Sequence, residues 1–391
     1  MGWRGTATVL GGGVLAAAFL ARCGADGRPA EHQPLRPDDL YVVHRGTSDE
    51  PPRLSAYRIE PGTGALIAAP VTGSALPLED RVHELVVDPG NRFVYVATRH
   101  ASPASGGSSL RGLVYGYARD ASTGGLTPLP GSPFGDAQGG DFHSPVLGAA
   151  GRFLYVGDPL SETIDAFAVD TATGALRPLP GRNAFPAANN VDGVATDPSG
   201  RALYATSSDG SVLSYTVDTG GGLAGPQGVL PTGRSTAIPV VHPNGRFLYA
   251  PNAGSNDISG YAIDPASGRL SVLPGSPFAG GLGPVALAFA PSGASLYVMN
   301  GQESTVAAFA VDAASGALRP LGGVVPTGGP TEAAGSIVAE PGGRFVYAAG
   351  FTSWTLATYA VDPVTGALSV ASAPVATLPR PAALAVTHHA P

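Results

Sequence analysis

The stretch Gly151-Arg152-Phe153-Leu154-Tyr155 recurs almost unchanged as Gly245-Arg246-Phe247-Leu248-Tyr249. Weaker copies occur along the chain, and the last residue of the seven copies falls at Tyr41, Tyr95, Tyr155, Tyr204, Tyr249, Tyr297 and Tyr347. A motif that repeats at a period of roughly 50 residues indicates a repeat architecture rather than a set of independent domains. One large repeat domain is therefore the expected organisation of the 391 residues.

A second motif in the same repeat marks a tight turn. It has the form Gly-x-Leu and follows an aromatic residue at a fixed distance, as in Phe167 followed by Gly174-Ala175-Leu176. Between these markers, one unit reads as four short strands at residues 144–148, 153–156, 164–169 and 176–179. Four strands per repeat, joined by glycine turns, are typical of one propeller blade. We therefore predict an all-β fold, a seven-bladed β-propeller with four-stranded antiparallel blades.

The two ends of the repeat region predict how the ring closes. The first unit begins at Leu40 without an innermost strand. The last unit is followed by an extra apolar stretch at 383–387, which matches the innermost strand predicted at 286–290. We predict that this C-terminal strand completes the first blade, because the pairing would remove two open sheet edges.

The N-terminus is predicted to be an export signal. Arg4 gives a short positive region, and residues 5–20 are uncharged and mostly apolar, a run shorter than the about 20 residues of a membrane span. The run ends at Leu20-Ala21-Arg22-Cys23, which resembles a bacterial lipobox with Cys23 as the lipidated residue, although Arg22 stands where a small residue is usual. An uncleaved signal anchor is the alternative.

The expected domains are thus a signal peptide at 1–23, of the lipoprotein type if Cys23 is modified, a flexible tether at 24–38 and the propeller at 39–389. The protein is expected in the cell envelope, either lipid-anchored or periplasmic or extracellular. Contact with the membrane is expected only through the N-terminal anchor.

Composition excludes several classes of partner and site. The chain has 22 basic and 29 acidic residues, a net charge of −7, and every basic residue is arginine. Because no basic cluster occurs, nucleic acid is not an expected partner. Cys23 is the only cysteine, which excludes an internal disulfide and any multi-cysteine metal site. We expect a monomer without a cofactor.

The innermost strands of a propeller start at the mouth of its central channel, where strand ends from all blades converge. Counting nine residues back from the residue after each turn glycine predicts the mouth positions His83, His143, Asp192, Ala237, Val285 and Gly335, with Ala382 by alignment. The positions two residues earlier are Arg81, Asp141, Asn190, Ser235, Gly283, Ala333 and Arg380. The predicted mouth is polar at blades two to four and small or apolar elsewhere.

The polar side of the mouth contains the candidate catalytic pair. Asp141 and His143 are two residues apart on a strand and so point to the same side. A carboxylate beside an imidazole could orient it as a general base or raise its pKa. The alternative is that these strand ends only bond to channel water and neighbouring backbone. A metal site of His83, His143 and Asp192 is conceivable but no spacing fixes its ligand distances, so no metal is predicted.

Weaker candidates lie in loops beside the predicted mouth. His44, Arg45 and Glu50 lie in the first such loop. Arg99 and His100 lie in residues 98–113, a predicted long loop whose Ser/Gly-rich middle suggests a mobile flap. The pair His388-His389 is expected to end a strand near the surface.

The repeat as a whole resembles that of a known family. The pattern Pro-x-Gly-Arg-Phe-Leu-Tyr-Val, then aromatic-x-Ile/Val-Asp, then Thr-Gly-x-Leu is similar to the lactonase-family seven-bladed propellers. These include bacterial propeller-type 6-phosphogluconolactonases and fungal carboxymuconate cycloisomerases. The resemblance covers residues 39–389 and implies a seven-bladed propeller whose site opens or closes a lactone ring.

The family's site residues carry over only in part. Its third-blade His-x-His reads Asp141-Phe142-His143 here, and an aspartate that follows is kept at Asp158. Its blade-four Gly-Pro-Arg-His and Asn-Glu correspond to residues 189–192 and 207–209, and its blade-five Asn-Arg-Gly to 252–254, without the arginines or the glutamate. Those arginines would bind a substrate carboxylate or phosphate and stabilise an oxyanion. Arg234 and Arg380 are candidate substitutes.

Two functions follow from these residues, and the sequence leaves both open. The first is binding of a small molecule, such as a lactone or sugar acid, or of a protein loop. The residues expected to bind it are Arg81, His83, Asp158, Asn190, Asp192, Arg234 and Arg380. The second is a lactonase-like hydrolysis, an attack on a carboxylic ester, in which His143 activates water and Asp141 orients His143. Arg81 or Arg234 would then polarise the carbonyl group.

Overall fold

The computed structural model of the chain is built from seven antiparallel β-sheets, one for each predicted blade. It describes residues 38–47, 49–69, 81–102, 109–135, 140–179, 184–186, 190–329 and 335–387. The predicted signal peptide with Cys23, the predicted tether up to residue 37, and His388-His389 lie outside these residues. The innermost strands of neighbouring blades contact one another in a closed circle, so the prediction of a seven-bladed propeller is confirmed.

The strands of each blade follow one another along the chain from the centre outward. Blade one has β1 (Asp39–His44), β2 (Arg53–Ile59) and β3 (Leu66–Ala69), and blade two has β4 (Arg81–Val87), β5 (Phe93–Ser102), β6 (Ser109–Arg119), β7 (Leu126–Pro128) and β8 (Phe134–Gly135). Blade three has β9 (His143–Gly148), β10 (Phe153–Asp158), β11 (Thr163–Val169), β12 (Leu176–Pro178) and β13 (Ala184–Pro186). Blade four has β14 (Val191–Thr196), β15 (Ala202–Ser207), β16 (Ser211–Val217) and β17 (Leu223–Pro231).

Blades five to seven repeat the same order. Blade five has β18 (Val240–Val241), β19 (Phe247–Asn252), β20 (Asp257–Ile263), β21 (Leu270–Val272) and β22 (Phe278–Ala279). Blade six has β23 (Pro284–Phe289), β24 (Ser295–Asn300), β25 (Thr305–Val311), β26 (Leu318–Pro320) and β27 (Val325–Pro326). Blade seven has β28 (Gly335–Ala339), β29 (Phe345–Gly350), β30 (Thr355–Val361), β31 (Leu368–Val370) and β32 (Val375–Ala376), and the last strand is β33 (Pro381–Val386).

The strand that carries the repeated motif is buried along its whole length in six of the blades. In blade three, Leu154, Tyr155 and Val156 are fully buried, because both faces of the strand pack against neighbouring blades. A strand covered on both faces reads as a continuous apolar run rather than as an alternating pattern. The turn before it needs a positive φ, which Gly151 supplies at 83°. This requirement explains why glycine opens the motif.

The repeated tyrosine joins each blade to the next. In six blades its hydroxyl donates a hydrogen bond to the carbonyl of the glycine in the second motif of the following blade. The pairs are Tyr41–Gly124 (2.7 Å), Tyr95–Gly174 (2.8 Å), Tyr155–Gly221 (2.9 Å), Tyr249–Gly316 (2.5 Å), Tyr297–Gly366 (3.3 Å) and Tyr347–Gly64 (3.0 Å). Tyr204 is the exception, since its buried hydroxyl has no partner among the described residues. The two sequence motifs are therefore the two halves of one inter-blade contact.

The ring closes as predicted, because β33 pairs antiparallel with β1 and completes the first blade. Beyond the paired strands, Asp39 and Thr387 bond to each other: the Asp39 amide donates to Thr387 Oγ1 at 2.9 Å, and the Thr387 amide donates to the Asp39 carbonyl at 3.0 Å. The Asp39 carboxylate also forms a buried ion pair with Arg119 of blade two. The closing blade is thus held together by the pairing of β1 with β33 and is also bound to blade two through the Asp39–Arg119 ion pair.

The prediction of a long loop at 98–113 is wrong over most of its length. Strands β5 and β6 continue through this region and pair from Arg99–Gly112 out to Ser102–Ser109. Only residues 103–108 lie outside the described part of the chain. The extra strand residues keep their backbone groups paired, which a loop of that length would leave to solvent. As a result, Arg99 occupies a defined strand position.

Tyr155 and Tyr204 make a matched pair for testing the inter-blade contact. We expect Tyr155→Phe to lower the free energy of unfolding by about 1–2 kcal/mol, because the buried Gly221 carbonyl loses its donor. Tyr204→Phe removes a hydroxyl that has no partner, so its cost should be below about 0.5 kcal/mol. Denaturation midpoints of both variants and wild type, measured together, check this. Equal losses in the two variants would contradict it.

Candidate functional site

A cavity of about 560 Å³ lies at the mouth of the central channel. Its wall includes at least one residue from every blade. Six of the seven predicted mouth positions line it, namely His143, Asp192, Ala237, Val285, Gly335 and Ala382. The charged residues Arg45, Glu84 and Asp192 come from blades one to four, whereas blades five to seven contribute small or uncharged residues. One side of the cavity is therefore polar and can bind charged or hydrogen-bonding groups.

Blade two departs from the predicted register, because Glu84 lines the cavity where His83 is predicted. The pairing of β4 with β5 shifts by one residue between Val82 and Leu85. Such a β-bulge changes the direction of the side chains around it. His83 is buried and contacts blade three, and Glu84 lies in the channel wall, where its Oε2 accepts the Ser144 amide at 2.9 Å.

Asp141 is the centre of a cluster of polar side chains, which we call the His–Asp–His cluster (His83, Asp141 and His143). Asp141 Oδ1 lies 2.9 Å from His83 Nε2 and 3.3 Å from His143 Nε2. The two imidazole rings stack with their centroids 3.6 Å apart and their planes inclined by 27°. Phe142 between them is fully buried in the core, so Asp141 and His143 share one side of the strand, as predicted.

Two contacts hold Asp141 in place. Arg99 Nη1 donates to Asp141 Oδ2 at 3.0 Å, and the Asp141 amide donates to Asp158 Oδ1 at 3.1 Å. Asp158 is fully buried and also accepts the amides of Leu160 and Ser161, so its position is that of a structural acceptor. Because Arg99 donates a hydrogen bond to Oδ2, the other carboxylate oxygen of Asp141, Oδ1, faces the two histidines.

Burial and charge shift the pKa values of the cluster in different directions. Burial lowers the pKa of His83, and the Asp141 carboxylate offsets this only in part. Burial also opposes protonation of His143, but contact with Asp141 and the charges of Glu84 and Asp192 outweigh it and raise the pKa of His143. Burial likewise disfavours ionisation of Asp141, yet its contacts with His143 and His83 prevail and hold its pKa far below the usual range. His143 is therefore the histidine that takes up a proton more readily.

The remaining predicted site residues are placed around the cavity rather than together. Asp192 lies in the cavity wall, and burial raises its pKa. Asn190 is exposed and donates to Ser208, itself a wall residue. Arg81, Arg234 and Arg380 are exposed, and the cavity wall does not include them. Seven further positions were predicted two residues before the mouth positions. Of these, only Ser235 and Gly283 line the cavity, and Ala333 lies outside the described residues.

Three charged residues of the site were missed or ranked low from the sequence. Arg45 directly follows β1, lines the cavity and donates to the Val82 carbonyl at 3.1 Å. Glu84 enters the wall only because of the bulge in β4. Arg99 reaches Asp141 only because β5 is longer than the repeat predicts. For Arg45 the signal was its place one residue beyond the first strand, whereas bulges and strand extensions leave no comparable trace.

Other cavities are less suited to polar chemistry. One of about 630 Å³ continues the channel past Glu84 and Ile238, which line both cavities, and most of its lining residues have apolar side chains. Grooves of about 750 Å³ and 290 Å³ lie at equivalent places between blades six and seven and between blades four and five. Because they recur with the repeat, we attribute them to the architecture. The mouth cavity with the adjoining His–Asp–His cluster is the candidate site.

Comparison with known proteins supports the fold. Residues 238–389 match a family model described as "Lactonase, 7-bladed beta-propeller", which confirms the predicted resemblance. Three solved structures align with 90% of this chain and 99% of their own. They are a proposed 6-phosphogluconolactonase from Bacteroides uniformis (19% identity, TM-score 0.72), the periplasmic gluconolactonase of Pseudomonas aeruginosa (22%, 0.69) and a protein from Lactobacillus plantarum (18%, 0.71). At these identities the likeness establishes the fold alone.

Two further findings concern sequence relatives and the membrane. Among curated protein sequences, none matches this chain. Within the described residues, no helix is both long and apolar enough to cross a bilayer.

Asp141 and Asp192 allow the electrostatics of His143 to be tested with matched variants. We expect Asp141→Asn to bring the pKa of His143 below its ordinary value of 6.5, because burial remains while the nearest negative charge is lost. Asp192→Asn removes a weaker influence on the same group, so it should lower the pKa less. Titration of the histidine Cε1 protons by NMR measures both shifts. An unchanged His143 pKa in Asp141→Asn would contradict the proposed contact.

Proposed function

We propose that the protein binds a small polar molecule, of the lactone or sugar-acid class, in the mouth cavity. The observation that carries the proposal is the asymmetric wall of a cavity of about 560 Å³, which has Arg45, Glu84, His143 and Asp192 on one side. This volume is within the range of about 300–1,000 Å³ that small-molecule sites have. A ligand with a carboxyl or lactone carbonyl and several hydroxyl groups complements such a mixture of donors and acceptors.

Arg45 is the residue best placed to bind an anionic or carbonyl oxygen. It is the only arginine in the described wall, and it is partly buried between the Val82 carbonyl and the Phe351 ring. A partly buried guanidinium makes stronger charge-assisted hydrogen bonds than an exposed one. The exposed Arg81, Arg234 and Arg380 can contribute at the rim only if a ligand extends beyond the wall.

Thermal unfolding in the presence of aldonolactones and the matching sugar acids tests the binding proposal. A ligand that binds the folded state raises the melting temperature with its concentration. We expect Arg45→Met to weaken binding at least about tenfold, as loss of a charge-assisted hydrogen bond does. Arg201→Met is the control, because Arg201 is exposed in a turn between β14 and β15, at the other end of the strands. Equal affinities in the two variants would refute the role of Arg45, and no shift with any compound would favour a protein loop as partner.

Hydrolysis of a lactone at the same place is the second candidate function. It is favoured by one observation, the position of His143 in the cavity wall with its Nε2 atom 3.3 Å from Asp141 Oδ1. With Nε2 facing Asp141, Nδ1 of His143 would accept the proton of an attacking water. The water oxygen would add to the carbonyl carbon, the ring C–O bond would break, and His143 would return the proton to the departing ring oxygen, so that a hydroxy acid leaves and His143 is neutral again. Arg45 would polarise the carbonyl oxygen.

Formation of acid from a panel of lactones, measured above the uncatalysed rate, tests this reaction. General-base catalysis contributes about 10²–10⁴-fold, so His143→Ala should lower kcat/KM by at least about 10². Arg201→Met should leave the rate unchanged. If wild type hydrolyses none of the lactones, or if His143→Ala is as active as wild type, the hydrolytic proposal fails while ligand binding can still hold.

We also propose that the protein acts outside the cytoplasm. The support is the sequence of residues 1–23, with Arg4 before an apolar run that ends at Cys23. A ligand available in the cell envelope is then the appropriate class, which favours an unphosphorylated lactone or sugar acid over a phosphorylated metabolite of the cytoplasm.

A further inference from the structure

Three potential metal ligands meet at the edge of the mouth cavity. One ligand atom from each of His83, Asp141 and His143 lies within 4.8 Å of the other two, and Asp141 Oδ1 is 2.9 Å from His83 Nε2 and 3.3 Å from His143 Nε2. They come from two neighbouring blades, since His83 belongs to β4, whereas His143 begins β9 and Asp141 lies two residues before it. A register shift lies beside both histidines, at the start of β4 and at the start of β9. His83 and His143 occupy equivalent positions of the repeat in neighbouring blades, so the cluster forms where both blades carry a histidine at that position.

The three potential ligand atoms lie close together, but they do not form hydrogen bonds with one another. Each is buried, and none forms a hydrogen bond of acceptable geometry with any described residue, although the two nitrogens are only 2.9 and 3.3 Å from the carboxylate oxygen. Both Nε2 atoms thus approach Oδ1 but are not directed at it. Buried polar atoms without partners are rare in native proteins and call for an explanation such as a bound ion.

We propose that His83, Asp141 and His143 bind a divalent transition-metal ion, with Zn²⁺ as the reference case. Two imidazole nitrogens and one carboxylate oxygen are a usual ligand set for zinc and for other first-row metals, and catalytic zinc sites use three protein ligands with a further position open. Ligands at about 2.0–2.2 Å from a tetrahedral ion lie about 3.3–3.6 Å from each other. The separations of 2.9 and 3.3 Å are close to that arrangement, and the two stacked rings would tilt apart so that both Nε2 lone pairs point at the ion.

The surroundings of the cluster suit a cation. Arg99 holds Asp141 Oδ2, which fixes the orientation of the carboxylate and leaves Oδ1 for the metal; such outer contacts are typical of metal sites. The carboxylates of Glu84 and Asp192 act electrostatically on His143 and add negative charge nearby. His143 is the most exposed member, with 20% of its side chain accessible, against 7% for His83 and 11% for Asp141. Open coordination positions would therefore face the cavity.

The metal site is independent of lactone turnover and changes the chemistry available to the cavity. A bound ion would offer a ligand's carbonyl or carboxylate oxygen a partner beside His143. Because His143 Nε2 would be a ligand, the pair Asp141–His143 would act through the ion rather than as a simple base. Metal affinity can be measured without any organic ligand, so the metal site and the proposed functions can fail separately.

Binding of Zn²⁺ to the untagged, chelator-treated protein tests the proposal. Competition with a chromophoric chelator should show one equivalent bound with Kd below about 10⁻⁶ M. His83→Gln and Asp141→Asn should each weaken binding at least about 100-fold. Asp192→Asn is the matched control: it removes a neighbouring carboxylate that is outside the ligand set, so the stoichiometry should persist and Kd should change less than about tenfold.

Two further measurements keep the outcome decisive. His388→Ala combined with His389→Ala excludes the histidine pair near the C-terminus as the binding site. Co²⁺ bound to wild type should give the visible absorption of a low-coordinate site and should shift the NMR signals of two histidines, a readout that does not require any variant to fold. Binding weaker than about 10⁻⁴ M, or binding unaffected by both His83→Gln and Asp141→Asn, would overturn the proposal. A greater loss in Asp192→Asn than in Asp141→Asn would overturn this ligand set in favour of one containing Asp192.

Discussion

A buried hydrogen bond between neighbouring blades, from the repeated tyrosine to the turn glycine, is the constraint on which the ring depends. Each such bond contributes only about 1 kcal/mol, less than the burial of the surrounding strands, so its main effect is geometric. Burial raises the pKa of tyrosines such as Tyr95 and Tyr155, which keeps their hydroxyls protonated as donors. Because six blades make the same bond, their strands are set at equivalent positions, and the starts of the innermost strands converge on one mouth.

The candidate site lies where this regularity is broken. Asn190, Ser235, Gly283 and Arg380 occupy equivalent positions before the innermost strand and all have a positive φ, between 53° and 65°. In blade three the positive φ occurs instead at Ser144, at 47°, after His143 rather than before it. Register shifts at the start of the innermost strand recur in blades one, two, three, four and six, so they belong to the repeat. The displaced positive φ at Ser144 and the two stacked histidines are what set blades two and three apart, and local departures of this kind are typical of functional sites.

The sequence predicted the parts of the structure that repeat and failed at the parts that do not. The blade number, the closure by the C-terminal strand and most mouth positions follow from the spacing of the tyrosines and glycines, because a repeat carries its register with it. The role of Glu84 depends on how β4 bulges at the mouth, and that of Arg99 depends on a strand extension in blade two, and neither has a composition signal. Arg45 is intermediate, since its place after β1 indicated the mouth but not that its guanidinium lies in the wall. The sequence therefore predicted where the site lies but not which side chains contact one another there.

The pairing of β1 with β33 determines where the propeller's chain ends lie. Strand β1 runs from Asp39 to His44, next to the cavity residue Arg45, and β33 runs back from the mouth to Val386. Six extended residues span about 17 Å. The propeller is thus entered and left on the face opposite the cavity, with Asp39 and Thr387 side by side. A fusion partner, a solid support or a lipid joined at either of these residues would hold the molecule from behind and leave the cavity open to the surroundings.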